Sequence, residues 1–86
     1  MLFVYPAIIY QEDDGYWAEV PDLEGCFTQG HDTNEIMANL KEAMEGYIIC
    51  LFENNMVIPK ASDIHNMNNR NNSFKTLVTI DLDLNE

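Results

Sequence analysis

The first thirty residues carry short apolar and aromatic runs separated by turn residues. Residues 2–11 are rich in β-branched and aromatic side chains, which is typical of a strand. Residues 12–15 read Glu-Asp-Asp-Gly, and the Asp-Gly pair favours a tight hairpin. Two further strands are predicted over residues 16–20 and 26–30, with a shaped loop over 21–25. Short connections of this kind predict a three-stranded antiparallel meander.

From residue 32 the apolar period changes from two to about 3.6, which predicts one amphipathic helix. Asp32 or Thr33 can cap its start, and Asp32 with Glu35 has the spacing of a capping box. The predicted helix runs over residues 35–52, and the Asn pair at 54–55 ends it. Its apolar stripe comprises Ile36, Leu40, Ala43, Met44, Tyr47, Ile48 and Leu51. We expect this stripe to cover one face of the sheet.

The last third of the chain contains an Asn-rich stretch and one more strand. Residues 62–73 predict a flexible connection, and residues 74–84 restore a strand pattern. The element order is therefore βββαβ, which predicts a single α+β domain over residues 1–86 with the helix packed on one sheet face. Because a crossover helix returns the chain in right-handed fashion, we expect the fourth strand beside the first and parallel to it.

The charge of the chain is strongly acidic and unevenly distributed. The sequence has 15 Asp and Glu residues against 4 Lys and Arg residues, a net charge of −11. The first basic residue is Lys41, and eight carboxylates precede it. Such a surface repels nucleic-acid phosphates, because affinity for them comes from Lys and Arg. It attracts a basic protein partner; maintenance of solubility is the alternative.

Length and apolar content limit the architecture further. A chain of 86 residues with 47% hydrophobic content can bury one modest core. No apolar run approaches the roughly 18–20 residues that a membrane span needs. The N-terminus lacks the basic segment of a signal peptide. We therefore expect a cytoplasmic protein with no membrane partner.

No set of residues for catalysis, metal binding or cofactor binding stands out. His31 and His65 are separate, and neither belongs to a pattern of metal ligands. The glycines are isolated, so no phosphate-binding loop is predicted. The first strand contains none of the carboxylates that a two-metal nuclease would need. We expect no enzymatic activity, no metal and no cofactor, and we expect Cys26 and Cys50 to be buried free thiols.

The segment over residues 15–30, GYWAEVPDLEGCFTQG, closely resembles the HicB-like antitoxin family. The order Val-Pro-Asp-Leu-x-Gly-Cys at residues 20–26 carries most of the resemblance, together with the Thr before the amphipathic helix. The Tyr5-Pro6 opening is also similar to that family. The resemblance covers residues 2–53, and the last strand is compatible with it.

Two features depart from the family pattern. Glu24 stands where the family usually has proline. Longer members carry a C-terminal DNA-binding domain, whereas this chain stops at Glu86, directly after the last predicted strand. We therefore expect no DNA-binding domain within residues 1–86 and no direct binding of nucleic acid by this chain.

The resemblance implies a partial ribonuclease H-like domain that lacks the nuclease acids. It also implies an antitoxin that neutralises a basic HicA-like toxin, an mRNA-cleaving ribonuclease, by covering the toxin's active site. Trp17 and Glu19 share one face of the second strand under period-two alternation; a core tryptophan under the helix is the alternative for Trp17. The candidate partner-binding residues are Asp13, Asp14, Trp17, Glu19, Asp22, Leu23 and Glu24.

Other functions remain open at the level of the sequence. One is a transcriptional autoregulator that contacts DNA through an oligomer or through a missing C-terminal domain. Another is an enzyme or a small-ligand domain. The broad apolar end of the helix, with Ile49, Cys50 and Phe52, predicts a homodimer or higher oligomer.

Overall fold

The computed structural model describes residues 1–68 and 70–84, which form one sheet, one long helix and one short 3₁₀ turn. The elements are β1 (Leu2–Glu12), β2 (Gly15–Glu19), β3 (Phe27–Gly30), α1 (Thr33–Glu53), the 3₁₀ turn (Ile64–Asn66) and β4 (Ser73–Asp81). The strand order in the sheet is β3-β2-β1-β4. The predicted α+β class and βββαβ order are confirmed.

The direction of β4 differs from the prediction. β4 is antiparallel to β1, with Leu2 opposite Asp81 and Tyr10 opposite Ser73; the expected parallel strand is wrong. The physical reason is the long connection over residues 54–72. It carries the chain back along the sheet after α1 ends, so that β4 starts beside the end of β1 and runs the other way.

One hydrophobic core lies between the sheet and α1. Its strand residues include Tyr5, Ala7, Ile9, Ala18, Val78 and Ile80, and its helix residues are Ile36, Leu40, Met44 and Ile48. The other predicted stripe residues, Ala43, Tyr47 and Leu51, pack partly buried against this core. The sequence-predicted stripe and its position on one face of the sheet are thus confirmed.

Both ends of α1 are closed by side-chain or backbone bonds. The carboxylate of Asp32 accepts the N–H of Glu35 at 2.7 Å, and the carboxylate of Glu35 accepts the N–H of His31 at 2.9 Å. The capping box is therefore reciprocal, although it reaches one residue further back than the usual pattern. At the other end, Asn55 adopts a φ of 54° and the Met56 N–H bonds back into the last turn.

The Asn-rich residues 62–73 contain more structure than a flexible connection. The backbone N–H and the hydroxyl of Ser62 both donate to the carboxylate of Asp22, at 2.8 and 2.5 Å. The 3₁₀ turn Ile64–Asn66 follows. Asn69, within the same stretch, lies outside the described residues. These contacts attach the start of the stretch to the β2–β3 loop, and its flexibility stays a prediction.

The 3₁₀ turn lies against the second face of the sheet, which is the face opposite α1. Lys75 pairs with Ile8 and shares that face. Its Nζ donates to the carbonyls of Ile64 and Met67, at 3.0 and 2.9 Å. Pro6 and Ile8 are buried on the same face.

The two cysteines differ in exposure. Cys26 is buried, and burial raises the pKa of its thiol. Cys50 is exposed on α1, away from the core stripe, so the prediction of two buried thiols is wrong for Cys50. Neither helix in the described part of the chain has the length and apolar character that a membrane span requires.

Candidate functional site

The β1–β2 hairpin carries three consecutive carboxylates at one end of the sheet. Glu12 pairs with Gly15, and the turn residues Asp13 and Asp14 lie between them. All three acidic side chains are exposed. Gly15 has a φ of 143°, and a Cβ there would lie 2.6 Å from the carbonyl oxygen of Gly30. The hairpin therefore lies tightly against the end of β3, which fixes the direction of its tip.

An aromatic pair lies beside this hairpin on the second face of the sheet. The rings of Tyr10 and Trp17 stack with centroids 4.1 Å apart and an interplanar angle of 10°. Both residues alternate with core residues, Ile9 and Ala18, so both face away from α1. The alternative of a core tryptophan under the helix is wrong, because Trp17 lies on the opposite side of the sheet.

Glu19 holds this aromatic pair in place. The hydroxyl of Tyr10 donates to the carboxylate of Glu19 at 2.6 Å. Burial raises the pKa of Tyr10, and the hydrogen bond to Glu19 and its charge raise it further, while Arg70 acts in the opposite direction. Glu19 therefore orients Tyr10, and Tyr10 supports the ring of Trp17.

An open cavity of about 700 Å³ adjoins the aromatic pair. It is lined by Glu12, Trp17, Phe27, Thr28 and Gln29. The side chain of Phe27 is 67% exposed although it is large and apolar. We define the hairpin–aromatic surface as Tyr10, Glu12, Asp13, Asp14, Trp17, Phe27 and Gln29.

Sequence reasoning missed several members of this surface. Tyr10, Phe27 and Gln29 join it because the register aligns Tyr10 with Trp17 and Trp17 with Gln29. Period-two alternation places Phe27 and Gln29 on one face of β3, but only the strand pairing shows that this is the face of Trp17.

A second groove lies on the other side of the hairpin, between its tip, the end of β3 and the start of α1. Its volume is about 650 Å³, and its lining includes Asp13, Asp14, His31, Glu35 and Asn39. Glu35 is already used in capping α1. This groove therefore extends the acidic surface at the same end of the sheet.

The loop between β2 and β3 lies at the opposite end of β2, roughly 15 Å from the hairpin tip at about 3.3 Å per residue. Leu23 is fully buried in the core, so its prediction as a partner contact is wrong. The carboxylate of Asp22 is engaged by Ser62. Glu24 is exposed, and its carbonyl accepts the hydroxyl of Tyr47 at 2.7 Å. The seven predicted residues thus do not form one surface.

The electrostatics of the described residues are dominated by unpaired acids. Within residues 1–68 and 70–84, the only ion pair joins the N-terminal amine to Asp81, at 2.9 Å. The hairpin carboxylates thus have no Lys or Arg partner in that part of the chain. No group of three or more His, Cys, Asp or Glu residues in the described ranges could hold a metal ion. The surface therefore offers negative charge beside a stacked aromatic pair.

Two related sequences resemble this chain. A 14.9 kDa protein from the rep–hol intergenic region of Haemophilus phage HP1 is 37% identical over 82 residues, which cover 94% of this chain and 62% of the phage protein. The chain thus spans less than two thirds of that relative. A UPF0150 protein of Thermoplasma acidophilum is 46% identical over 57 residues, which cover 65% of this chain and 83% of that protein.

Two solved structures share the fold. A chain of a toxin–antitoxin complex from Streptococcus pneumoniae matches with a TM-score of 0.86 and 27% identity, over 94% of this chain and 70% of that one. A chain of a HicA3–HicB3 toxin–antitoxin complex matches with a TM-score of 0.77 and 26% identity, over 93% of this chain and 100% of that one. The model of the HicB-like antitoxins of bacterial toxin–antitoxin systems matches residues 5–86. The chain therefore belongs to the HicB-like antitoxin family.

Proposed function

We propose that this chain is a non-catalytic antitoxin of the cytoplasm that binds a basic HicA-like ribonuclease toxin and covers its active site. The observation that carries the proposal is the position of Trp17. Its ring lies on the sheet face away from the core, stacked on Tyr10 and directly beside the acidic hairpin. A large aromatic side chain that the core does not need, bordered by unpaired carboxylates, is typical of a protein-binding anchor.

The acidic hairpin has a separate role in this proposal. Glu12, Asp13 and Asp14 are exposed and lie on a rigid two-residue turn. A ribonuclease needs Lys and Arg to bind the phosphates of RNA, and carboxylates in the same positions would occupy those cations. Charge of this kind mainly accelerates encounter and selects the partner, while the apolar anchor slows dissociation.

Family membership supports the proposal as well. The two solved structures described above come from toxin–antitoxin complexes, and the sequence contains no recognisable catalytic set. Inhibition by occlusion requires only a complementary surface. The hairpin–aromatic surface provides charge, an apolar anchor and an open cavity on one face of the sheet.

The test uses a basic HicA-like toxin, to be sought first in the open reading frame next to that of this chain. Charge reversal of the hairpin, Glu12→Lys with Asp13→Lys and Asp14→Lys, should leave the chain folded because exposed turn charges contribute little to stability. It should slow association with the toxin sharply and abolish rescue of toxin-expressing cells. Wild-type association should also slow as salt is raised.

The matched control reverses three exposed acids that lie outside the hairpin: Glu24→Lys in the β2–β3 loop, with Glu42→Lys and Glu53→Lys on α1. The control has the same change in net charge, so it separates a local interface from general electrostatics. Full neutralisation by the folded hairpin variant would refute the proposed surface. Cleavage of RNA by the purified wild-type chain alone would refute the antitoxin assignment.

A further inference from the structure

The outer edge of β4 is a strand edge without carboxylates from Ser73 to Ile80. Met1 and Leu82 exchange a main-chain bond at one end of the β1–β4 ladder, and Gln11 donates to Asn72 at the other. In an antiparallel ladder, bonded and non-bonded pairs alternate. The odd-numbered residues of β1 therefore bond the even-numbered residues of β4, and the main-chain groups of Leu77 and Thr79 point outward.

Few of these outward groups have a partner in the described part of the chain, where the carbonyl of Leu77 accepts only a long bond from the hydroxyl of Thr76, at 3.5 Å. The main-chain N–H groups of Leu77 and Thr79 donate to no described residue. The 3₁₀ turn approaches β4 near the start of the strand, where Lys75 donates to the carbonyls of Ile64 and Met67. The side chain of Leu77 is 52% exposed, and Val4 beside it on the same face is 40% exposed.

β4 also lacks the features that normally protect an edge strand. It contains no proline, and its pairing with β1 runs without a bulge from Ser73 to Asp81. Its single lysine, Lys75, is bound to the 3₁₀ turn, as described above. A long regular edge of this kind pairs readily with another strand.

The charge distribution indicates which strand pairs with β4. Residues 73–80 contain no carboxylate, and Asp81 is paired with the N-terminal amine. Two copies with a net charge of −11 each repel one another over most of their surfaces, but least along this edge. Leu77 is also the midpoint of Ser73–Asp81, so a twofold axis there aligns all nine residues of two strands.

We propose that β4 pairs antiparallel with β4 of a second copy, centred on Leu77, to form a continuous eight-stranded sheet. Leu77 then bonds Leu77 of the second copy through both main-chain groups, and the two side chains meet on the second face. Because β4 and β3 are opposite edges of the sheet, both hairpin–aromatic surfaces stay outside the interface. The dimer proposed here therefore forms through β4 and not through the apolar end of α1, from which the sequence predicts an oligomer.

Sedimentation velocity of the whole chain tests the pairing. The wild type should sediment with twice the 9.9 kDa chain mass at micromolar concentration, and Leu77→Lys should sediment as a monomer. Ile49→Lys is the matched control, since it adds the same charge at the end of α1 and should leave the dimer intact. A monomeric wild type, a dimeric Leu77→Lys variant, or loss of the dimer in Ile49→Lys would each overturn the proposal.

Hydrogen exchange of the wild type tests the same pairing without a substitution. The outward amides of Leu77 and Thr79 should become protected as concentration rises, whereas Val78, which bonds β1, should be protected throughout. Unchanged exchange at Leu77 and Thr79 in a dimeric sample would refute the pairing. Raised salt should strengthen this dimer by screening like charges, and it should weaken the toxin complex, so the two proposals fail independently.

Discussion

The two edges of the sheet are built in opposite ways. At the β3 edge the helix lies close: the side-chain amide of Asn39 donates to the carbonyl of Gln29 at 2.8 Å, and Gly30 lies against the backbone of Ile36. At the β4 edge, the outward N–H groups of Leu77 and Thr79 donate to no described residue. One edge is short, covered and bordered by acids, whereas the other is long, open and nearly free of charge.

The two proposals assign separate interactions to these two edges. At the covered edge, the hairpin–aromatic surface is proposed to bind a cationic partner, and the contacts with α1 hinder strand addition. At the open edge, the absence of carboxylates is proposed to let a like-charged second copy approach. A substitution near β3 should therefore act on stability or on toxin binding, while a substitution at Leu77 should act on self-association.

Gly30→Ala should produce the largest effect, because the covered edge has no space for a side chain. A Cβ at Gly30 would lie 2.8 Å from the backbone nitrogen of Ile36. Displacing the start of α1 should lower the free energy of unfolding by about 2–3 kcal/mol. Urea denaturation followed by circular dichroism measures the change.

Gly46→Ala is the control for that variant. A Cβ at Gly46 meets no atom within 4 Å, and alanine is the better helix former, so this change should stabilise the protein by about 0.5–1 kcal/mol. An equal loss of stability in both variants would show that α1 does not lie against β3 as tightly as the structure has it.

Trp17→Ala should have the next largest effect. It should weaken binding of the toxin and leave the stability of the fold largely unchanged. Loss of an aromatic anchor should weaken the toxin complex by about 2 kcal/mol, roughly thirty-fold in Kd, mainly through faster dissociation. Phe74→Ala is the control, because Phe74 is a partly exposed aromatic residue on β4 and on the other face. Surface plasmon resonance separates the two rates, and an equal effect of both variants would argue against the proposed surface.

The periodicity of the sequence predicts the elements of the fold and most of their arrangement, but it does not predict the path of the connection over residues 54–72. The change from period two to 3.6 predicts the element order. Alternation along β2 places Trp17 and Glu19 on one face, but it leaves open whether that face meets the helix. The direction of β4 was mispredicted because periodicity does not encode the route of residues 54–72. The support of Trp17 by Tyr10 depends on register between two strands, which no local pattern specifies.

Leu23 shows a different limit. It lies between two acidic residues in a short loop, a pattern that is typical of exposure. In the structure the loop closes on itself through main-chain bonds from Val20 to Cys26 and from Leu23 to Val20. That closure turns the leucine side chain into the core, where it is fully buried. Tertiary packing decides the exposure of such a residue, and neighbouring charges do not.

Asn39→Ala should have a smaller effect, and it tests the protection of the β3 edge. The substitution leaves the carbonyl of Gln29 without its side-chain donor. Loss of that bond should make the variant about 1 kcal/mol less stable than Asn34→Ala. Asn34 is an exposed residue of the same type in the first turn of α1, so the comparison cancels the gain in helix propensity. Equal stability of the two variants in urea would show that the edge needs no such bond.

Tyr10→Phe should have the smallest effect, and its dependence on pH identifies its origin. The variant keeps the ring that stacks on Trp17 but loses the bond to Glu19, which should cost about 0.5–1.5 kcal/mol at neutral pH. Tyr16→Phe is the control, since no described residue bonds that hydroxyl.

The pKa of Tyr10 is raised above 10.0 in the folded protein by burial and by Glu19. The unfolded chain therefore loses this proton first as pH increases. The contribution of the bond is complete below the unfolded pKa and is lost as pH rises through the folded pKa. Urea denaturation of wild type and Tyr10→Phe should thus show a stability difference that is constant at neutral pH and shrinks in alkali. A difference that persists unchanged in strong alkali would mean that the hydroxyl stabilises the pair by packing and not by its bond to Glu19.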